Sequence, residues 1–294
     1  MKKQKLIDMR STLILAFLIL CQFSIYAQEE SINDLLKQGM EYYDAEKFIL
    51  AEKTYEKALS LETENFKAQM GLADSRHKQE RYQEAIQDYN KAEKLSDTVA
   101  DLYFKRGAAK IFIGEFKSAI KDFNHSEQLE PNNAQLYYYR GFCQSELERY
   151  NAAIEDYDKC IELDPDNGAA YYNRGAAISE LGDFKGGLKD FETALEKDPN
   201  LNNGRINIAL SKLGMENYEE AIKDLTEVIN KRDENLARAY FYRGEAQYEM
   251  GDKDAACADW RRASNLDHAN ATRNVNDFCS GKRAPKRKEI EIVF

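Results

Sequence analysis

The sequence predicts an all-α solenoid of about seven helix pairs closed by a C-terminal capping helix. Three observations carry that prediction. Pro131, Pro165 and Pro199 stand 34 residues apart, and so do Gly107, Gly141 and Gly175. Blocks of 34 counted from Ile32 align small residues and aromatics in columns. Within a block, Tyr171 and Gly175, then Gly187, Phe191 and Ala194, recur at the three- and four-residue spacing of a helical face. A fixed period of this size marks stacked supersecondary units that bury their apolar faces on one another.

The first element is a targeting segment. Lys2, Lys3, Lys5 and Arg10 precede an apolar run from Leu13 to Leu20, with Ala27 and Gln28-Glu29-Glu30 beyond it. A basic stretch, a short apolar core and a small residue at the cut describe a signal peptide over 1–27. The run is shorter than the roughly 20 apolar residues of a membrane span. Cys21 raises a lipoprotein alternative, but Leu20 stands where a small residue is wanted. An uncleaved anchor helix is the other alternative. Residues 28–31 form a short linker.

Seven blocks follow, at 32–65, 66–99, 100–133, 134–167, 168–201, 202–236 and 237–270, with one extra residue entering near Asn230–Leu236. The eighth column reads Gly39, Ala73, Gly107, Gly141, Gly175, Ala209 and Gly244. The twentieth reads Ala51, Ala85, Ala119, Ala153, Gly187, Ala221 and Ala256. The twenty-fourth reads Tyr55, Tyr89, Phe123, Tyr157, Phe191, Leu225 and Trp260. Small residues let the two helices of a block approach, and the aromatic fills the space beside them. Gly114, Gly182 and Gly251 mark turns between paired helices, where glycine accepts positive φ. Asp164-Pro165 and Asp198-Pro199 end second helices, because the residue before proline is pushed from the α region. Gly186-Gly187 interrupts a helix, and Gly187→Ala is expected to stabilise the fifth block or leave it unchanged. A capping helix is expected over 271–280, then a basic tail over 281–294 with a possible short strand.

Charge and cysteines bound the function. The chain has 42 Lys and Arg against 52 Asp and Glu. Residues 1–27 carry a net of +3, so cleavage takes the formal charge from −10 to −13. Such a chain makes a poor non-specific binder of nucleic acid. The tail is the exception, with Lys282, Arg283, Lys286, Arg287 and Lys288 ahead of the alternating Glu289–Phe294. It reads as a solvated tail, with contact to an anionic surface or strand addition as alternatives. Export permits disulfides. Cys257 and Cys279 fall on antiparallel neighbours within reach of a bridge, which the sequence leaves open. Cys143 and Cys160 read as small buried hydrophobes.

No catalytic constellation is visible. His77, His125 and His268 lie in different blocks, so neither a metal nor another cofactor is expected. The repeating acidic residues of the second helices, such as Glu155, Asp156 and Asp190, read as a solvated face. The expectation is a chain that is not an enzyme.

The runs Tyr171-Tyr-Asn-Arg-Gly175 and Leu163-Asp-Pro165, repeated over residues 32–270, resemble the tetratricopeptide repeat family. The second and sixth blocks depart from its pattern with Gln69 and Ala73, and with Arg205 and Ala209. Cys257-Ala-Asp-Trp260-Arg-Arg-Ala263, followed by Ala271 and Cys279, is similar to the closing segment of exported repeat proteins of the Bacteroidota. The resemblance implies a right-handed superhelical solenoid whose first helices line a concave groove. It implies that the second, fifth, sixth, ninth, twelfth and thirteenth positions of each block face that groove. Those positions include Phe104, Lys105, Tyr138, Tyr139, Phe142, Tyr172, Asn173, Ile206, Asn207, Phe241, Tyr242 and Tyr248. The aromatics suit peptide contact, and Asn173 and Asn207 are expected to pair with a peptide backbone. Tyrosine columns also pack between neighbouring blocks, so groove and packing roles stand side by side. The Lys-and-Asn set with which some relatives clamp a C-terminal carboxylate is absent: Leu36, Met40, Gly71, Asp101 and Lys105 stand there. The expected function is a periplasmic or envelope scaffold holding a peptide or partner protein in the groove. The alternative is an assembly component docking through its convex face, ends or tail.

Overall fold

The structure is a computed structural model that describes residues 31–201, 203–231 and 235–280. The signal segment and the basic tail lie outside the described residues. The described residues form fifteen α-helices and no strand. They divide into two compact units, residues 31–97 and 98–280.

The first unit holds α1 (Ile32–Asp44), α2 (Phe48–Leu61), α3 (Phe66–Lys78) and α4 (Tyr82–Leu95). Ser31 caps α1 in a reciprocal box with Asp34, which satisfies two of the helix's unpaired N–H groups. Leu35, Ala51, Tyr55, Ala58, Ala68 and Leu72 build the core. The Tyr55 ring lies on Gly39 and on Gly71, where a Cβ would stand 2.7 Å and 2.3 Å from it.

The second unit holds α5 (Ala100–Phe112), α6 (Phe116–Leu129), α7 (Ala134–Glu146), α8 (Tyr150–Leu163), α9 (Gly168–Glu180), α10 (Phe184–Lys197), α11 (Gly204–Gly214), α12 (Tyr218–Lys231), α13 (Leu236–Glu249), α14 (Lys253–Ser264) and α15 (Ala269–Phe278). The sequence columns are its core. Ala119, Ala153, Ala221 and Ala256 are fully buried, as are Phe123, Tyr157, Phe191, Leu225 and Trp260. The aromatic sits on the glycine of its own repeat: a Cβ at Gly107, Gly141 or Gly244 would stand 2.9, 2.8 or 2.7 Å from the facing ring. Glycine in the eighth column therefore makes room for the ring of the twenty-fourth.

Each repeat turns at one left-handed residue. Gly114, Gly182 and Gly251 take φ of 73, 88 and 90°. Four repeats put glutamate in the same slot: Glu46, Glu80, Glu148 and Glu216 have φ of 57, 61, 56 and 61°. The second helices end in extended residues before proline, with φ of −145° at Glu130, −137° at Asp164 and −131° at Asp198. The side chains of Asn65, Asn133 and Asn167 then cap the following helices. Asparagine at that place satisfies an N–H with no partner inside the helix.

Two expectations need correction. Asp156 and Asp190 are not on a solvated face; they are 7 % and 5 % exposed. Arg140 and Arg174, sixteen residues earlier, grip them with two nitrogens each. Arg106–Asp122 and Arg243–Asp259 repeat the arrangement. Each of these arginines lies over the tyrosine three residues before it, at 5.3–5.6 Å from the ring centre. Arg140, Arg174 and Arg243 also reach Asn124, Asp158 and Thr226 in the preceding repeat, so one guanidinium joins two repeats. Desolvation alone would penalise these carboxylates, and the bidentate guanidinium opposes it; at Asp156 burial still holds the carboxyl above its ordinary pKa against Arg140.

Gly187 is the second correction. A Cβ there would stand 1.9 Å from Ser179 Oγ and 2.8 Å from the Gly175 carbonyl oxygen. Gly187 thus lets α9 and α10 approach closely, and alanine is not a free improvement. Gly186 belongs to a capped first turn, its N–H donating to Asp183.

The C-terminal end is covered by α15. His268 caps that helix through Nδ1, and its ring stacks on Phe241 with centres 4.3 Å apart. A disulfide joins Cys257 to Cys279, with Cα atoms 5.7 Å apart. It ties α14 to the far end of α15. Cys143 and Cys160 are buried free thiols. Burial pushes the Cys143 thiol up to about 12 and the Cys160 thiol to about 11.

Candidate functional site

A cleft of about 360 Å³ opens in the second unit between α7, α8 and α9. Phe142, Ser145 and Glu146 come from α7, Tyr150 and Tyr157 from α8, and Tyr172, Asn173, Ala176, Ala177 and Glu180 from α9. Its origin is a size difference at one column. The ninth residue of the fourth repeat is Phe142, and that of the fifth is Ala176, which leaves space where the neighbour has a ring. The walls are held in place. Phe142 packs edge-on against Phe116, and Tyr172 edge-on against Phe191. Tyr157 is fully buried, with its hydroxyl 3.4 Å from Ser145 Oγ. Burial raises the Tyr150 hydroxyl above its ordinary pKa, and the charges of Glu180 and Glu148 add to the rise.

Three residues expected in a peptide groove line this cleft: Phe142, Tyr172 and Asn173. Tyr138, Tyr139 and Phe104 stand together on the neighbouring surface. Tyr139 meets Phe104, Phe123 and Tyr138 at 5.9, 6.4 and 5.4 Å between ring centres. Lys105 is half-buried and paired with Asp101 at 2.8 Å.

The two asparagines are placed differently from the expectation. Asn173 Nδ2 donates to the Tyr138 hydroxyl at 3.2 Å, and Asn207 Nδ2 to the Tyr172 hydroxyl at 2.9 Å. Both pairs are 35 residues apart, joining the fifth position of one repeat to the sixth of the next. Phe104 and Tyr139 are the apolar version of the same pair. Asn207 is fully buried, so its amide serves a latch between repeats instead of a peptide backbone. Its Oδ1 has no hydrogen-bond partner among the described residues. Burial raises the pKa of Tyr138 and Tyr172.

Phe241 and Tyr242 are placed in the core, 6 % and 4 % exposed. Phe241 stacks on His268 beneath the capping helix, and both rings belong to the cluster around Trp260. They lie outside the cleft because α15 covers this end.

The cleft also contains residues that the sequence reading did not single out. Glu146 and Glu180 occupy the thirteenth position of adjacent repeats and are exposed. The resemblance places the ninth and thirteenth positions in the groove, so Ala176, Glu146 and Glu180 stand where it implies although none was named. Ala176 and Ala177 contribute only a methyl group each to the wall, and small size makes no motif.

Among the described residues no group of three His, Cys, Asp or Glu is placed to hold a metal ion. No described helix is long and apolar enough to cross a membrane.

No curated protein matches the sequence. Among solved structures, a tetratricopeptide repeat protein from Parabacteroides merdae aligns with a TM-score of 0.60 at 20% identity, over 83% of this chain and 96% of its own. MamA aligns with a TM-score of 0.54 at 26% identity, over 58% of this chain and 93% of its own. YrrB, described as a TPR protein with an unusual peptide-binding site, aligns with a TM-score of 0.54 at 20% identity, over 61% and 92%. Tetratricopeptide repeat models match residues 36–100 and 206–265, 100–133, 134–167 and 156–188. With the helix pairs, the glycine–aromatic contacts and the 34-residue columns in agreement, the chain belongs to the tetratricopeptide repeat family.

Proposed function

We propose that this chain is a non-enzymatic interaction scaffold of the cell envelope, holding a peptide segment of a partner protein in the cleft of its fourth and fifth repeats. The cleft carries the reading. It is concave, walled by fixed aromatics and edged with polar groups, as ligand sites are. The peptide-binding site described for YrrB supports the same use of the fold. The buried carboxylates and thiols are otherwise engaged. Asp156 and Asp190 are held by arginines, and both free thiols are buried with raised pKa. The envelope location rests on the basic and apolar pattern of residues 1–27. N-terminal sequencing of the protein from cells should begin at Gln28; a start at Cys21, Met9 or Met1 refutes that part.

The test of the groove fills the cleft. Ala176→Phe copies the residue of the neighbouring repeat, so the helix accepts it. Tagged protein is used to capture partners from envelope extract, with Glu155→Ala as an exposed control on α8. Closing a central anchor site should cost more than about 1 kcal/mol, roughly tenfold in affinity. Retention of the partner by a folded Ala176→Phe protein would move the binding surface to the convex face, the ends or the tail.

A further inference from the structure

We infer that the cleft recognises an arginine side chain of the bound segment, its guanidinium lying among Phe142, Tyr150 and Tyr172 and facing Glu146 and Glu180. This rests on the peptide-binding reading above and adds the chemistry of the residue recognised. The argument begins with the walls. Three of the lining aromatics come from three different helices, and two are braced by further rings, Phe142 by Phe116 and Tyr172 by Phe191. Tyr172 is also tied through its hydroxyl to Asn207. Ring faces held in advance attract a cation at little ordering cost.

The carboxylates supply the sign. Glu146 and Glu180 both line the cleft, and they recur at one position of consecutive repeats. Glu148 and Glu180 both act on the Tyr150 hydroxyl, so a third negative charge stands beside the mouth. Two cations stand nearby and keep their charge: Arg149, which donates to Gln144 on the outside of the repeat turn, and Arg238, which acts on the Tyr172 hydroxyl; neither lines the cleft. A partner entering here meets aromatic surface first and negative charge at the edge.

Size and shape choose between the two basic side chains. The cleft, about 360 Å³, accepts a long side chain together with part of its backbone. A guanidinium is planar, weakly hydrated and forked, so it stacks on rings while donating to carboxylates on two sides. A lysine ammonium keeps its water more tightly and donates from one point.

The experiment uses the full chain with labelled alanine methyl groups, because Ala176 and Ala177 lie in the cleft wall. N-acetyl-arginine amide is titrated and the methyl NMR signals are followed. N-acetyl-citrulline amide, the neutral isostere, is the control. The expected result is a saturable shift of the Ala176 and Ala177 signals with the arginine probe and binding roughly tenfold weaker with citrulline. Glu146→Gln with Glu180→Gln should weaken the arginine probe by a similar factor while the other alanine signals stay in place. Equal response to citrulline, an unaffected double variant, or no shift at any concentration reached would overturn the inference. If the arginine probe fails while Ala176→Phe still releases the partner, peptide binding stands and only the arginine assignment falls. If Ala176→Phe also retains the partner, both fall.

Discussion

Replacing Gly187 by alanine sets two known effects against each other. Glycine inside a helix is less favourable than alanine by about 1 kcal/mol, and α10 should gain that amount. The added Cβ would lie 1.9 Å from Ser179 Oγ, 3.2 Å from Ser179 Cβ and 2.8 Å from the Gly175 oxygen. The first contact can be relieved by turning the hydroxyl. The third is backbone on a neighbouring helix, and relieving it means separating α9 from α10. Overpacking of this kind costs about 1–3 kcal/mol. Because the contact is with backbone and no flexible side chain can yield, the upper part of that range applies, about 2–3 kcal/mol, and the helix gain leaves a net loss of about 1–2 kcal/mol.

The fourth repeat shows why the same column tolerates alanine elsewhere. Ala153 stands there fully buried, and the neighbouring Ser145 hydroxyl lies 3.4 Å from the Tyr157 hydroxyl. In the fifth repeat the aromatic is Phe191, which offers no hydroxyl. Ser179 Oγ is buried without a hydrogen-bond partner among the described residues and occupies the space above Gly187. Urea unfolding followed by far-UV circular dichroism should show a lower midpoint for Gly187→Ala. Adding Ser179→Ala should recover part of the loss, because the Oγ contact disappears and the Gly175 contact remains. A midpoint equal to or above that of the parent would refute the close-approach account.

Tyr172→Phe removes the hydroxyl that accepts from the buried Asn207 amide and should lower stability by about 1–3 kcal/mol; Tyr138→Phe should cost less, since Asn173 is half-exposed, and paired urea curves compare the two. Glu148→Gly should raise the urea midpoint, because the left-handed slot at φ of 56° costs a side chain about 1 kcal/mol. His268 is held below its ordinary value of 6.5, first by burial and then by Arg238, so between its folded pKa and 6.5 the unfolded chain binds more protons and stability falls as pH drops. Thermal melts at pH 7.5 and about 5.5 should therefore differ more for the parent than for His268→Asn, which keeps a capping side chain without a titrating ring; equal pH dependence would refute the role of His268.

What could be read from the sequence was what recurs in a single column. Glycine and the aromatic sixteen residues later belong to one repeat, and each is visible every 34 residues. The Gly114, Gly182 and Gly251 turns were legible because glycine is the residue suited to positive φ. Glu148 in the same slot was not, since glutamate has no preference for it and the stacking of the repeat holds it there. Asp156 was misread because charge on a second helix ordinarily means solvent. Its partner Arg140 is on another helix, and neither residue alone signals burial. The latches between Tyr138 and Asn173 and between Tyr172 and Asn207 failed to show for a related reason. Each pairs the fifth position of one repeat with the sixth of the next, so the contact exists only once the stacking distance is known. The cleft is the extreme case. It depends on Ala176 being smaller than Phe142, and a missing ring has no pattern of its own. In a solenoid the scaffold is therefore written in the columns, while the binding surface is written in the differences between neighbouring repeats. The pair Phe142 and Ala176, set between Glu146 and Glu180, is where those differences are concentrated.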